Sequence, residues 1–99
     1  YNTSLTRTTA TALSVARGYL AAASVGNYAL FGGGRSSSTA TEKVVDVYDE
    51  TLTRSVSSQL NTERYCLAAS SISNYVIFAG GAKGLLAKYL NTVDVYALV

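Results

Sequence analysis

The sequence contains no histidine, proline, tryptophan or methionine, and its only cysteine is Cys66. Without histidine, neither a Ser-His-Asp nor a Cys-His catalytic arrangement can form. A single cysteine cannot close an internal disulfide, and with no histidine beside it the usual zinc ligands are missing. We therefore expect no enzymatic activity, no metal site and no cofactor.

Charge is also scarce, since charged residues make up 14% of the chain, against about a quarter in typical globular domains. The net charge of +2 comes from eight basic and six acidic residues that are scattered and form no basic stripe. The chain has no long apolar run of the kind that spans a membrane and no signal-peptide pattern. We expect neither nucleic acid nor a membrane as a partner, and the compartment is not indicated. With 48% hydrophobic residues and few charges, much of the surface is expected to be covered.

An internal repeat organises the chain. Residues 27–34 read Asn-Tyr-Ala-Leu-Phe-Gly-Gly-Gly, and residues 74–81 read Asn-Tyr-Val-Ile-Phe-Ala-Gly-Gly. A Val-Asp-Val-Tyr run then recurs at 45–48 and 93–96, with one extra residue between the second glycines and the second run. Because insertions are tolerated in loops, this length difference predicts a loop between the glycines and the Val-Asp-Val-Tyr run of each repeat.

Each repeat divides into four short strand-like segments. They are 5–13, 17–24, 27–32 and 44–48 in the first repeat, and 52–60, 64–71, 74–79 and 92–96 in the second. The third and fourth segments are apolar on both faces, which predicts that both faces are covered. An alanine-rich helix over 13–24 is the alternative, but the second copy has two serines and a turn there, which favours a strand.

Four short strands in each of two repeats are typical of the blades of a β-propeller. A blade is a small twisted sheet that must stack on its neighbours to bury its faces. Two blades cannot close a ring, which takes about four to eight of them. The sequence therefore predicts an all-β fold of two four-stranded blades that complete a ring through head-to-tail association of copies.

The two copies resemble kelch repeats. The matching features are Phe31 and Phe78 before the glycines, the Val-Asp-Val-Tyr strands, and an arginine, Arg17 or Arg64, before the first inner strand. The tryptophan that usually follows the tyrosine in this family is missing. The resemblance covers nearly the whole chain and implies one repeat over 1–47, with an outer strand and three inner strands, and a second over 48–99.

The resemblance also implies how blades are completed, because in kelch propellers three inner strands pair with the outer strand that follows them. The first outer segment, 5–13, then has no blade of its own, and the last three segments lack an outer strand. A second chain could supply it, and the unit reads as an excised piece or a designed unit. Because six-bladed rings are common in the family, a trimer is favoured over a tetramer of eight blades or a dimer of four.

In kelch propellers that bind peptides, the ligand face is formed by the loops after the glycines and the turn before the first inner strand. The resemblance implies that the matching loops here, 35–41 and 82–87, contribute to such a face. The expected binding residues are Arg17, Tyr19, Arg35, Arg64 and Tyr65. Arginines repeated around a ring would hold an acidic peptide. The alternative is that each arginine before an inner strand pairs with a local carboxylate or carbonyl in its own blade.

Three further side chains are expected to be structural. Asp46 and Asp94 recur at the same strand position, and a buried aspartate there has to be hydrogen-bonded or paired. Cys66 falls within a predicted inner strand and is expected to be a small buried apolar residue.

The sequence thus predicts a non-catalytic interaction or scaffold module that binds a protein or peptide through loops on one face of a ring. Two alternatives stay open, because a fold does not determine a function. One is a self-assembling structural unit with no ligand, and the other is a carbohydrate-binding propeller.

Overall fold

The computed structural model describes residues 7–37, 40–84 and 87–98 of the chain. These residues form β-strands and no helix, which confirms the predicted all-β class. Accordingly, this part of the chain has no helix long and apolar enough to cross a membrane. The strands are β1 (Ala21–Val25), β2 (Tyr28–Gly32), β3 (Val45–Tyr48), β4 (Arg54–Val56), β5 (Ala68–Ile72), β6 (Tyr75–Ala79), β7 (Ala82–Lys83), β8 (Lys88–Tyr89) and β9 (Val93–Ala97).

The strands form three antiparallel sheets. The first sheet has the order β1-β2-β3-β4, the second has the order β5-β6-β9, and β7 and β8 form a separate hairpin. Phe31 lies opposite Ala22 and Asp46 in the first sheet, and the equivalent Phe78 lies opposite Ala69 and Asp94 in the second. The two sheets therefore share one register, as their repeated sequence predicts, and are compatible with a blade-like fold.

Three sequence expectations change in the structure. The helix considered over 13–24 is absent, because residues 21–25 form β1. The segment expected as a first outer strand, 5–13, is described only from residue 7, and residues 7–13 belong to no strand. Its equivalent in the second repeat does form β4, because there it pairs with β3. The second predicted loop contains the β7–β8 hairpin.

Side chains alternate between two faces of each sheet, here called front and back. The first front carries Ala22, Ala29, Phe31, Asp46 and Tyr48, and the second front carries the equivalent Ala69, Val76, Phe78, Asp94 and Tyr96. The first back carries Ala21, Val25, Leu30, Val45 and Val47, and the second back carries the equivalent Ala68, Ile72, Ile77, Val93 and Val95. This assignment follows from the pairing register, because residues directly opposite each other share a face.

The core lies between the back of the first sheet and the front of the second. Val45, Val76 and Phe78 are fully buried in it. Cα atoms of β1 and β5 approach within 8 Å of each other, which is possible because these strands consist mainly of alanine and serine. Larger side chains on the other strands fill the space farther from this contact, so the two sheets form a wedge with its narrow side at β1 and β5.

Candidate functional site

The loops of both repeats meet at one end of the sheets, here called the loop end, where β2 and β6 finish. Gly18 and Arg35 exchange two backbone hydrogen bonds of 2.9 Å there. In the second repeat the equivalent Tyr65 and Ala82 exchange bonds of 2.8 and 2.9 Å. The turn before each first strand is thereby fixed against the loop that follows the glycines.

The two repeats are also joined at the loop end. The N–H of Gly34 donates to the carbonyl of Arg64 at 2.8 Å, and the N–H of Cys66 donates to the carbonyl of Tyr19 at 2.8 Å. These bonds bring the turn of the second repeat against the loop of the first. As a result, side chains far apart in sequence become neighbours.

Three of the five predicted binding residues come together in this way. The Arg35 guanidinium lies over the Tyr65 ring, with its Cζ atom 4.6 Å from the ring centroid. The Tyr19 and Tyr65 rings are tilted to each other with centroids 6.4 Å apart. We call Tyr19, Arg35 and Tyr65 the loop-end cluster. A guanidinium over a tyrosine ring at this distance is a cation–π arrangement, which holds the cation in place.

The members of the loop-end cluster differ in exposure. The Tyr19 side chain is exposed, whereas Tyr65 is buried, and its hydroxyl donates to the carbonyl of Gly84 at 3.4 Å. Arg35 is half-buried, and its Nε donates to the carbonyl of Ser37 at 3.3 Å. The buried Tyr65 ring thus lies against both Arg35 and Tyr19. Tyr19 and Arg35 form the accessible part of the cluster.

Further polar and aromatic side chains lie on the same end. Lys83 is on β7, and Lys88 and Tyr89 are on β8, with Tyr89 highly exposed. The Ser36 hydroxyl donates to the Glu42 carboxylate at 2.6 Å. Sequence reasoning did not select Tyr89 as a binding residue. The sequence feature that could have indicated Tyr89 is the one extra residue of the second loop, which contains the hairpin that carries this ring.

The other two predicted binding residues, Arg17 and Arg64, do not join the cluster. Both guanidinium groups are buried, and each pairs with the aspartate of its own sheet. Arg17 Nη1 lies 3.1 Å from Asp46 Oδ2, and Arg64 Nη2 lies 2.8 Å from Asp94 Oδ2. No positive rim of Arg17 and Arg64 is exposed in this chain, because the charges are neutralised inside the sheets. The local-pairing alternative describes both residues.

Each buried pair belongs to a larger set of bonds. Arg17 also donates to the carbonyl of Phe31 at 2.9 Å, and Asp46 accepts from the N–H of Ser14 at 3.1 Å. Arg64 likewise donates to the carbonyl of Phe78 at 3.1 Å. The expectation that the two strand aspartates are hydrogen-bonded or paired is confirmed. Carboxylates held in this way are engaged in structure.

A half-buried tyrosine lies beside the second pair. The Tyr96 hydroxyl donates to the carbonyl of Ser58 at 2.6 Å. Burial, followed by the nearby Asp94 carboxylate, raises the pKa of Tyr96 to about 12. The proton therefore stays on this hydroxyl at neutral pH, which keeps its hydrogen bond intact.

The expectation for Cys66 is wrong, since its side chain is exposed. It lies in the turn before β5, outside any strand, and its φ angle is +56°. The equivalent Tyr19 has the same φ of 56° before β1. Both residues thus have a left-handed backbone, and both side chains are exposed.

The loop end places the Arg35 guanidinium and the ammonium groups of Lys83 and Lys88 at the same end of the sheets as the Tyr19 and Tyr65 rings. In the residues that the structure describes, no group of three or more potential ligands could hold a metal ion. No protein-family model matches the chain, and no curated protein is significantly similar to it.

Proposed function

We propose that this chain is a non-catalytic interaction module that binds an acidic protein segment or peptide at the loop end. The observation that carries the proposal is the loop-end cluster, in which Arg35 is held over the Tyr65 ring beside the exposed Tyr19. Arginine and tyrosine are among the residue types enriched in the hot spots of binding interfaces. The guanidinium, fixed by the ring beneath it, loses little freedom when it pairs with a carboxylate.

The surrounding charges support an acidic ligand. Lys83 and Lys88 lie on the hairpin at the same end, and the Glu42 carboxylate nearby already accepts a hydrogen bond from Ser36. The arginines inside the sheets are neutralised by their aspartates and take no part. The ligand is therefore expected to contact the residues of the loop end and not the arginines inside the two larger sheets.

We further propose that the two sheets are kelch-like propeller blades and that copies of the chain associate head to tail into a ring. The repeated register of the two sheets and the order of the first four strands support this assignment. A trimer with six blades is the favoured ring. Ring closure would place several loop ends on one face, so that a longer acidic segment could contact more than one of them.

A self-assembling structural unit without a ligand is the second candidate function. Its support is the apolar back of the second sheet, where Ile72, Val93 and Val95 are each more than half exposed. Large exposed apolar surfaces of this kind mark interaction sites. Under this alternative the assembly itself is the function, and the loop end binds nothing.

Titration of a fluorescein-labelled hexaglutamate peptide, followed by fluorescence anisotropy at low salt, tests ligand binding. We expect Arg35→Ala and Tyr19→Ala each to weaken binding by about tenfold or more, as for hot-spot residues. Arg54→Ala is the matched control, since Arg54 lies on β4 opposite Tyr48, outside the cluster, and should leave affinity unchanged. Binding should also weaken as salt screens the charges.

A hexaglutamine peptide controls for charge and should not bind. Equal affinity of the unchanged protein, Arg35→Ala and Tyr19→Ala for hexaglutamate would overturn the assignment of the site. No binding of any acidic peptide, together with a stable assembly, would favour the second candidate function.

A further inference from the structure

The contact between the two sheets of one chain has two unlike sides. The back of the first sheet supplies one side, with Val25, Leu30 and Val45, and the front of the second sheet supplies the other, with Val76 and Phe78. Because the repeats share one register, each sheet carries both kinds of face. Among the described residues, one front and one back therefore have no sheet against them.

The free back of the second sheet is apolar. Ile72 is 63% exposed and Val93 is 56% exposed, whereas the equivalent Val25 and Val45 of the first sheet are 8% and 0% exposed. The side chains at these positions are similar in size and polarity in the two repeats. The exposed surface thus has the composition of a surface that is buried elsewhere in the same chain.

The free front of the first sheet offers the matching side. It contains an open groove of about 480 Å³ whose lining residues are Ala10, Thr11, Leu13, Ala29, Phe31, Tyr48 and Leu52. Phe31 packs edge-on against Tyr48 with centroids 5.8 Å apart, and the equivalent Phe78 and Tyr96 pack the same way at 5.7 Å. The free front therefore has the same aromatic pair as the front that is already covered.

A backbone donor points to the same contact. Within the chain, Gly34 donates its N–H to Arg64 across the two repeats. The equivalent donor in the second repeat is Gly81, and its N–H has no backbone partner among the described residues. A second copy placed by the same geometry would bring the carbonyl of its Arg17 to this N–H.

We propose that the back of the second sheet packs on the front of the first sheet of a second copy of this chain, reproducing the contact seen between its own sheets. This inference rests on the proposed head-to-tail association and assigns its surfaces. The repeat identifies the partner surface. Within the chain, a back packs on a front that carries a phenylalanine–tyrosine pair, and the free front of the first sheet carries the same pair.

The same placement assigns the free edge of β9. In the first sheet, β4 pairs with β3 so that Arg54 lies opposite Tyr48, and Val56 lies opposite Asp46.

The residues equivalent to β4 in the first repeat are Arg7, Thr8 and Thr9. Residues 7–9 of the second copy would then pair with β9, with Arg7 opposite Tyr96 and Thr9 opposite Asp94. This explains why residues 7–9 form no strand within a single chain.

Two single substitutions test the assigned surfaces. Val95→Lys places a charge on the free back, and Ala29→Lys places one on the free front, where the equivalent Val76 is fully buried within the chain. Burying an unpaired ammonium is strongly unfavourable. Each variant alone should sediment as a 10.4 kDa monomer. Glu50→Lys is the control, since Glu50 is exposed in the turn between β3 and β4, and should keep the mass of the unchanged protein.

Mixing the two variants separates this contact from other modes of association. In the mixture, the Ala29→Lys variant keeps an intact back and the Val95→Lys variant keeps an intact front. These two faces should pair in a one-to-one dimer, and no larger assembly should form. We expect the mixed pair to bind at least about 100-fold more tightly than either variant binds itself. If the Ala29→Lys variant dimerises alone and mixing adds nothing, the backs pair with each other and the proposal is overturned.

Val95→Thr guards against loss of folding, because it removes apolar character without adding charge. It should weaken association by about tenfold, with an unchanged far-UV circular dichroism spectrum. A monomeric unchanged protein at tens of micromolar overturns the proposed surfaces. A series of oligomers of increasing mass, in place of one defined mass, supports the surfaces but contradicts ring closure. Neither result bears on hexaglutamate binding.

Discussion

The two sheets of this chain have nearly the same sequence and register but lie in different surroundings. Val45 is 0% exposed in the first sheet, and its equivalent Val93 is 56% exposed in the second. Leu60 is buried while its equivalent Leu13 is half-buried. The difference shows that the repeat encodes each strand and turn locally, whereas burial of a face depends on what is placed against it.

Interactions inside each sheet are the same in both repeats. The arginine–aspartate pair, the tyrosine hydrogen bond to the preceding segment and the edge-on phenylalanine–tyrosine contact all recur. Tyr48 donates to the carbonyl of Thr11 at 2.7 Å, and Tyr96 donates to the carbonyl of Ser58 at 2.6 Å. These contacts lie within one sheet and its preceding segment, so they need no neighbouring sheet.

The largest expected difference between the sheets concerns their buried ion pairs. Asp46→Ala leaves the Arg17 charge buried without compensation, which is expected to cost about 3–5 kcal/mol. Asp94→Ala should cost less, because the Asp94 side chain is 19% exposed and water can reach the site. Urea unfolding at a low, fixed protein concentration measures both. Equal losses in the single chain would contradict this difference in exposure between the two aspartates.

Glu50→Ala is the control for this comparison, since Glu50 is an exposed carboxylate. It should change the free energy of unfolding by no more than about 0.5 kcal/mol. An effect of Asp46→Ala as small as that of Glu50→Ala would contradict the structural role of the first pair.

The second comparison concerns two glycines with the same backbone. Gly33 and Gly80 have φ angles of +73° and +72°, so alanine is strained at both positions by about 1–2 kcal/mol. A Cβ at Gly33 would lie 2.7 Å from the carbonyl oxygen of Arg64, whereas the nearest atom to a Cβ at Gly80 is 3.8 Å away. Gly33→Ala should therefore destabilise the fold more than Gly80→Ala.

Urea unfolding measures the difference in stability between Gly33→Ala and Gly80→Ala. The mass of the particle formed by each variant measures its effect on association. In a stacked assembly the position of Gly80 becomes as crowded as that of Gly33. Gly80→Ala should then weaken association even though the single chain tolerates it. Equal unfolding free energies for Gly33→Ala and Gly80→Ala in a monomeric protein would contradict the contact between the repeats.

The smallest expected effect is a pH dependence at the second sheet. Burial raises the pKa of Tyr96 to about 12, while an unfolded tyrosine titrates near 10. The unfolded chain therefore releases its proton first, and the stabilising contribution, complete below pH 10, is lost as pH rises toward 12. Unfolding free energies measured across this range should fall less steeply for Tyr96→Phe. Identical slopes for both proteins would contradict the raised pKa of Tyr96 in the folded state.

The candidate site was partly predictable. The resemblance pointed to Tyr19, Arg35 and Tyr65, and the structure places these three together. It also pointed to Arg17 and Arg64, which pair with aspartates inside the sheets. The sequence repeats these arginines in either case, so repetition could not distinguish an exposed rim from a buried pair. Exposure of Cys66 was not predictable, because the left-handed turn that exposes it has no glycine to mark it.

By itself, the sequence determined the strands, their shared register and the existence of two like units, since these depend on local alternation, turns and repetition. The tertiary structure decided which arginine is buried, which loops meet and which faces are covered. In the described part of the two outer segments, residues 54–56 form a strand and residues 7–13 do not, because hydrogen-bonded strands need a partner edge. That partner comes from elsewhere in the chain, so no local pattern can encode its presence.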